Sequence, residues 1–437
     1  MPLTDNTARL EAALFSALDT ATAVTLGFSG GVDSSLLALL LGRWQQRHPQ
    51  VPCRLLHVHH GLSAEADQWL AHCQAQAQAY GLTFEAHKVQ LQLGPRISVE
   101  AAARQARYQV FAQALAPAEL LLTGHHLDDQ AETLLLALKR GSGPTGLAAM
   151  ATCQPLGQGQ LVRPWLNHSR ASIEQAAAAL GLTHIDDDSN SDERFDRNFL
   201  RQRIIPQLAE RWPGIKTSLA RSAALCAEQQ ALCDELAQAD YQRCQLPGQG
   251  LSLALSADFS QARQNNLLRY FLRQHGALMP SQAQLQQLAA MWQARADSQP
   301  QLDWGRWSLK RYLGGIYLLG RQAPAPLSTH PWQQGQLQNG QHWLLKPCYD
   351  GPRLKPLALS RLSVRYDLPG ATKLHPHTRQ QRRSLKKLWQ EFQVPPWQRS
   401  QVALLCYDDT VIAALGYWLE QDFLQSEGVG WWPTLVT

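Results

Sequence analysis

The sequence predicts an α/β N-terminal domain built on a parallel, Rossmann-like sheet, then a mainly helical middle domain and a small α+β C-terminal domain. Three observations carry that prediction. Between Thr22 and Arg170, short apolar or β-branched runs alternate with longer stretches of helical spacing. Those runs are apolar on both faces, as strands of a parallel sheet covered on two sides must be. Past Arg211-Trp212-Pro213-Gly214 the alternation stops, and the chain of 437 residues has length left for one or two further domains.

Strands are expected at Ala23–Phe28, Arg54–His59, Thr83–Val89, Glu119–Thr123 and Leu161–Val162, with helices at Ser34–Arg47, Ala64–Tyr80, Ser98–Leu115 and Asp128–Arg140 between them. A sheet wound this way binds its ligands at the C-terminal ends of its strands. Further on, Ile215–Tyr241 and Gln261–His275 read as helices, and Arg306–Lys310 and Gly315–Leu319 as strands. The Pro-rich stretch from Ala323 to Ser328 reads as a linker. It leads into short strands and turns, with a helix at Ser384–Phe392 and strands near Val402–Leu405 and Thr410–Ala414. The expected domains are therefore 1–215, 216–322 and 323–437.

Hydrophobic residues make up 45% of the chain and charged residues 17%, which excludes a disordered or collagen-like polymer. No apolar run approaches the ~18 to 20 residues that span a bilayer, and Asp5, Glu11 and Asp19 stand where a secretory leader would be basic. Eight cysteines with no C-x-x-C spacing fit neither a disulfide scaffold nor a zinc or iron–sulfur site. A cytoplasmic protein with no membrane partner is expected.

Charge is unevenly spread. Residues 1–215 hold 17 Lys+Arg against 20 Asp+Glu, whereas Arg353–Arg399 holds 11 against 2. Within it, Arg379, Arg382, Arg383, Lys386 and Lys387 crowd five cations into nine residues, beside Trp389 and ahead of Trp397. Such a density repels itself unless anions sit opposite, and unstacked bases rest on aromatic planes, so Arg382, Arg383, Lys386, Lys387 and Trp389 are expected to bind nucleic acid. A solvated basic face is the alternative.

Strand Ala23–Phe28 runs into Ser29-Gly30-Gly31-Val32-Asp33-Ser34 ahead of an apolar helix. Two glycines permit a tight turn and a close backbone approach, and the loop amides with the helix N-terminus form a cradle for phosphate oxygens. With no Gly-Lys-Ser/Thr it is not a Walker A loop. Its form resembles the PP-loop of N-type ATP pyrophosphatases; an ordinary capped turn is the alternative. After the second strand, His57-Val58-His59-His60-Gly61-Leu62 lacks the i, i+4 pairs or cysteines of a metal site. On the next helix, Arg104 and Arg107 share a face and can clamp phosphate.

The fourth strand ends in His125-His126-Leu127-Asp128-Asp129-Gln130-Ala131-Glu132-Thr133. Asp128 and Glu132 are four apart and Asp129 and Glu132 three apart, which crowds three carboxylates where parallel sheets bind ligands. They need a cation, and either Mg²⁺ arriving with ATP or the ammonium of an amino-acid substrate would supply it. Helix capping by Asp128 or Asp129 is the alternative. Gly141–Leu147 forms a flexible loop, followed by Asp188-Ser189-Asn190 and Arg197-Asn198-Phe199-Leu200-Arg201.

In order, the boxes S-G-G-V-D-S, H-V-H-H-G-L, A-R-Q-A-R-Y, H-H-L-D-D-Q-A-E-T, R-G-S-G-P-T-G-L, D-S-N and R-N-F-L-R resemble the tRNA(Ile)-lysidine synthetase family across residues 22–205. The likeness extends through Arg221–Leu225 and resumes over Leu385–Trp397. It implies that ATP adenylates the C2 carbonyl oxygen of the wobble cytidine in the CAU anticodon of tRNA(Ile). The ε-amine of L-lysine then displaces AMP, decoding shifts from AUG to AUA, and tRNA identity shifts from methionine to isoleucine. By the same resemblance, Ser29, Gly30, Gly31, Val32, Asp33 and Ser34, with His57 and His60, bind ATP. Asp33 and Asp128 assist Mg²⁺ or phosphate contacts, and His125, Asp129 and Glu132 position lysine. Arg107 and Arg201 stabilise phosphate charge or hold the cytidine. His59 stands where many relatives carry Asp or Asn, so any role of that carboxylate is absent. Which carboxylate acts as base is left open, as is a homodimer.

The chemistry fits independently. A cytosine carbonyl oxygen leaves poorly until adenylated, and lysine must lose a proton before attack, which suits a carboxylate cluster. A tRNA thiolase would need paired cysteines or cluster ligands that Cys53, Cys73 and Cys153 do not offer. A glutamine-dependent synthetase would need a glutaminase domain, and an RNA-binding protein on a retired loop would have lost the carboxylates.

Overall fold

The computed structural model describes residues 5–61, 65–91, 99–185, 192–293, 300–321, 325–333 and 335–436. Asp188-Ser189-Asn190, Leu62 and the start of the expected linker at Ala323 lie outside the described residues. The chain divides into two compact units, Met1–Cys233 and Asp234–Thr437.

The first unit runs α1 (Asp5–Ala17), β1 (Val24–Gly27), α2 (Val32–Arg47), β2 (Cys53–His59), α3 (Ala66–Ala79), β3 (Thr83–Lys88), α4 (Val99–Ala114), β4 (Leu120–Leu122) and α5 (Leu127–Lys139). It continues through α6 (Pro144–Leu147), β5 (Cys153–Leu156), β6 (Gly159–Val162), α7 (Arg170–Ala179), α8 (Asp196–Phe199), a π-helical turn at Leu200–Ile204, and α9 (Ile205–Arg211). α10 (Ile215–Cys244) crosses the division between the units.

The sheet order is β3-β2-β1-β4-β6-β5, with every neighbouring pair parallel except the antiparallel edge pair β5 and β6. Leu26 of β1 pairs with Leu55 of β2 on one side and Leu122 of β4 on the other. One face is packed with Leu10 and Leu14 of α1, Leu36 and Leu40 of α2 and Ile173 of α7; the other buries Leu56, Phe111, Leu115 and Leu121. Burial on both faces explains the continuous apolar strands. The chain reverses its direction of travel across the sheet between β1 and β4, and such a switch point opens a crevice at the strand C-termini. The expected parallel α/β architecture is therefore present. α1, α7, α8, α9 and the antiparallel β5 add to the elements read from the sequence, and α6 occupies part of the loop expected at Gly141–Leu147.

In the second unit, β7 (Gln245–Leu246), β8 (Gly250–Ser252), β9 (Gln301–Trp304), β10 (Trp307–Tyr312) and β11 (Gly315–Gly320) form an antiparallel sheet in the order β7-β8-β11-β10-β9. The helices α11 (Gln261–Gln274) and α12 (Gln282–Gln293) share its core through Leu267, Phe271, Leu288, Leu309 and Ile316. The remainder holds β12 (His330–Pro331), β13 (His342–Cys348), β14 (Leu362–Arg365), β15 (Lys373–Leu374), β16 (Arg383–Ser384), α13 (Leu385–Glu391), β17 (Leu404–Tyr407), β18 (Thr410–Ala414), β19 (Trp418–Leu419) and β20 (Gly430–Val436). Among the described residues, no helix is long and apolar enough to cross a membrane.

Candidate active site

Between β1 and α2 the chain turns through Ser29-Gly30-Gly31. Gly30 has φ +84°, and a Cβ there would lie 2.5 Å from Ile185 Cδ1 and 2.9 Å from Cys73 Sγ. Only glycine meets both conditions without strain. Gly31 caps α2 with no side-chain hydrogen bond, which leaves the first-turn amides to an anion. Ser34 Oγ donates to Gly31 O at 3.0 Å and lies 3.1 Å from Ser29 Oγ. From behind, Ser35 Oγ reaches Gly30 O at 3.0 Å, and Ile185 N donates to the same carbonyl at 2.9 Å. A Gly30→Ala protein is expected to lose ~1–3 kcal/mol of stability through backbone strain. ATP should no longer raise its melting midpoint, and thermal melts with and without ATP check both effects.

Across the crevice, β4 ends at Leu122, and Gly124 brings its backbone close to the loop: a Cβ on Gly124 would sit 3.0 Å from Asp33 Cβ. His126 then caps α5, accepting from Asp129 N at 3.4 Å while Asp129 Oδ2 accepts from His126 N at 3.1 Å. This reciprocal box fixes the first turn of the helix. His126 Nε2 stands 3.8 Å from Asp33 Oδ1 and 3.4 Å from Asp129 Oδ2, bridging the two motifs. The sequence pattern singles out His125 instead. That ring lies 2.8 Å from Thr123 Oγ1, and burial pushes its pKa down to about 3, so it is neutral at pH 7.

The carboxylates have cations from the chain itself. Arg201 donates from Nε to Glu132 Oε1 at 2.7 Å, and from Nη2 to Glu132 Oε2 and Asp129 Oδ1, both at 3.1 Å. Arg197 Nε is 3.2 Å from Glu132 Oε2, and its Nη2 donates to Thr133 Oγ1 at 2.9 Å. Lys216, at the root of α10, donates to Asp128 Oδ1, while Asp128 Oδ2 accepts from Arg170 N at 3.0 Å. The cluster thus draws part of its charge balance from Arg201, Arg197 and Lys216 of the chain itself. Asp128 has both oxygens engaged, by Lys216 and the Arg170 amide, whereas Asp33 Oδ1 is buried with no hydrogen-bond partner among the described residues.

The four acids differ in electrostatic setting. Burial raises Asp33 and Glu132, the latter opposed by its bond to Arg201. For Asp129, burial is outweighed by His126, His125, Arg197 and Arg201, and the carboxyl lies below its usual range. Asp128 is likewise low, burial being overcome by the Arg170 amide and Lys216. His57 Nδ1 lies 2.9 Å from Phe28 O and burial lowers its pKa; burial and the charge of Arg107 bring His60 down to about 4.

Arg107 thus lies near enough to His60 for its charge to act on that ring. Arg104 lies 4.8 Å over the Tyr108 ring.

In the basic stretch, Arg382, Arg383, Lys386 and Lys387 are exposed, with Arg382 paired to Asp422 at 2.8 Å. Trp389 is corrected: it is only 6% exposed and packs in a core, tilted 53° against Trp418 with 5.2 Å between centroids, so its face is not offered to a base. A cavity of about 550 Å³ lined by Arg54, Glu85 and Glu119 lies at the opposite, N-terminal ends of the strands. Its polar groups are already bonded to one another, with Arg54 donating to Glu85 at 2.8 Å and Glu119 at 3.4 Å.

A family model for the PP-loop domain matches residues 3–208, one for the TilS substrate binding domain matches 251–317, and one for the TilS substrate C-terminal domain matches 362–434. A tRNA(Ile)-lysidine synthase of Shewanella woodyi is 41% identical over 449 residues, covering 98% of this chain and 95% of that protein. The chain belongs to the tRNA(Ile)-lysidine synthase family. Proteins of that name from Serratia proteamaculans (42% over 434 residues, 98% of each chain) and Escherichia coli O157:H7 (41% over 419 residues, 92% and 94%) are similarly close. As in any PP-loop enzyme, the crevice of this lysidine synthase family member is built for ATP. A sulfur-transfer chemistry would need a thiolate beside the loop. Cys73, the thiol under Gly30, is fully buried and pushed up to about 12.

Proposed function

We propose that this enzyme ligates L-lysine to C2 of the wobble cytidine in the CAU anticodon of tRNA(Ile), through an adenylated tRNA. The observation that carries the reading is the meeting, across Gly124, of the phosphate loop with the carboxylate–arginine cluster of α5, in a chain matched by lysidine synthases over nearly its whole length. In the first step the cytidine O2 attacks the α-phosphorus and the bond to pyrophosphate breaks. The loop amides of Ser29–Ser34 hold the phosphates, and Arg107 faces charge developing beside His60. Mg²⁺, when bound, neutralises phosphate charge; Asp33, with its unpartnered Oδ1, is the residue to hold it alongside phosphate oxygens, a common arrangement for this ion.

In the second step the lysine ε-amine attacks C2, the C–O bond breaks, and AMP leaves with the former carbonyl oxygen. Asp129 and Glu132, held in register by Arg201, are assigned to the lysine ammonium together with neutral His125. Asp128 acts by position, tying α5 to the starts of α7 and α10. Residues 1–215 are assigned to chemistry, and 216–322 and 323–437 to tRNA. Release of pyrophosphate from ATP that requires a CAU-anticodon transcript but not lysine tests the order of steps; release independent of the tRNA would contradict it.

Exposed Arg382, Arg383, Lys386 and Lys387 are assigned to the tRNA backbone. Neutralising all four is expected to weaken tRNA binding and to lower the magnitude of the log K versus log salt slope by ~0.7 to 0.9 for each phosphate left without its cation. ATP affinity should stay unchanged. Salt titrations of wild type and quadruple variant decide, since a merely solvated face leaves the slope unaltered.

A further inference from the structure

The antiparallel sheet of the second unit carries an aromatic and basic recess, at residues the charge pattern did not single out as a cluster. α11 and α12 share a core with Leu309, Ile316 and Leu318 on one face of that sheet. Alternation sends the intervening residues to the other face, where the register sets Lys310 opposite Tyr317 and Tyr312 opposite Gly315. Two glycines make room for Tyr317: a Cβ on Gly250 would fall 2.5 Å from its Cε1, and one on Gly315 3.0 Å from its Cε2. The ring thus lies over backbone that carries no side chains. Trp397, on the turn Pro395-Pro396-Trp397, comes within 5.4 Å of the Tyr317 centroid and 5.8 Å of that of Tyr312. Tyr312 Oη donates to Val394 O at 3.3 Å and pins that turn to the strand.

Lys310 Nζ lies 6.0 Å from the centre of the Trp397 ring, and Trp397 Nε1 is buried with no hydrogen-bond partner among the described residues. Beside them is a cavity of about 290 Å³ lined by Gln301, Lys310, Arg311, Pro396 and Trp397. Among the described residues, no carboxylate lines it. The neighbouring acid, Asp303, accepts two bonds from the Gln301 amide, at 2.9 and 3.0 Å. Aromatic faces and the Lys310 ammonium in a recess of this size match one nucleotide, a base to stack and a phosphate to pair, while Arg311 Nη1 is held by Met291 O at 3.0 Å.

We infer that this recess takes an unstacked nucleotide of the bound tRNA, with Trp397 as the stacking partner and Lys310 on the phosphate. The inference rests on the tRNA reading above. Its test uses the full-length protein as wild type, Lys310→Gln, Trp397→Ala and Trp397→Phe, titrated with the CAU-anticodon transcript over a range of salt, with melting midpoints recorded. Lys310→Gln should lower the magnitude of the salt slope by ~0.7 to 0.9 and leave the melting midpoint unchanged. Trp397→Ala should weaken tRNA binding by about tenfold or more, with Trp397→Phe, which keeps a ring, between it and wild type. ATP affinity should be unaffected in all three. Wild-type tRNA affinity and slope in Lys310→Gln and Trp397→Phe would overturn the inference, and a lowered midpoint alongside would mark Trp397 as packing only. Failure of the wild type itself to bind the transcript would overturn the functional reading and this inference with it.

Discussion

Asp33→Ala is expected to abolish both transfer of AMP to the tRNA and incorporation of lysine. Asp33 stands on the first turn of α2, with Gly124 pressed against its Cβ and His126 Nε2 3.8 Å from its Oδ1. Its carboxylate is the one in the cluster with a buried oxygen that nothing among the described residues satisfies. Loss of a group that organises phosphate charge in a water-poor crevice commonly costs ~10² to 10³-fold or more in rate. Pyrophosphate release and lysine labelling, measured on the folded variant, check this. Near-normal AMP transfer would remove Asp33 from the chemistry.

Arg201→Ala should be the most damaging change to the fold of the site. Glu132 is 0% exposed, and Arg201 bonds both of its oxygens. Removing Arg201 leaves buried Glu132 with Arg197 alone, 3.2 Å from Oε2, at a cost of up to ~3–5 kcal/mol. A clear fall in melting midpoint is expected, and Arg201→Met combined with Glu132→Leu should restore much of it, because the stranded charge is gone. Glu132→Gln separates structure from function. If Asp129 and Glu132 hold lysine, this variant still forms the adenylated tRNA while its KM for lysine rises; loss of adenylation at unchanged lysine dependence would place Glu132 with the ATP site instead.

The central strands β1, β2 and β4 were legible because they are buried and so read as apolar runs; β6, and the edge strand β3 with no buried residue, also lie within a residue or two of where they were expected. β5 was not, since Cys153–Leu156 is a half-exposed edge strand with Pro155 in it. The two chemical boxes were legible for a different reason: a glycine loop and three acids cluster within a few residues each. Their partners were not, because Arg197, Arg201, Arg170 and Lys216 arrive from 42 to 88 positions away, along a path set by tertiary folding. The π-helical turn at Leu200–Ile204 belongs to that path, and nothing in local composition marks it. Gly124 was the available signal for the junction, a glycine between strand and capping histidine, where only close backbone approach explains its lack of a side chain. Trp389 misled because an aromatic beside lysines reads the same whether it faces solvent or core.

The crevice between β1 and β4 is expected to join lysine to a CAU-anticodon isoleucine tRNA at the expense of ATP. Incubating the full-length enzyme with that transcript, ATP, Mg²⁺ and labelled lysine tests it directly. Label should enter the tRNA, require ATP, and be absent when the wobble cytidine is replaced by uridine. Unlabelled tRNA, or label that enters the uridine transcript equally, would contradict the claim.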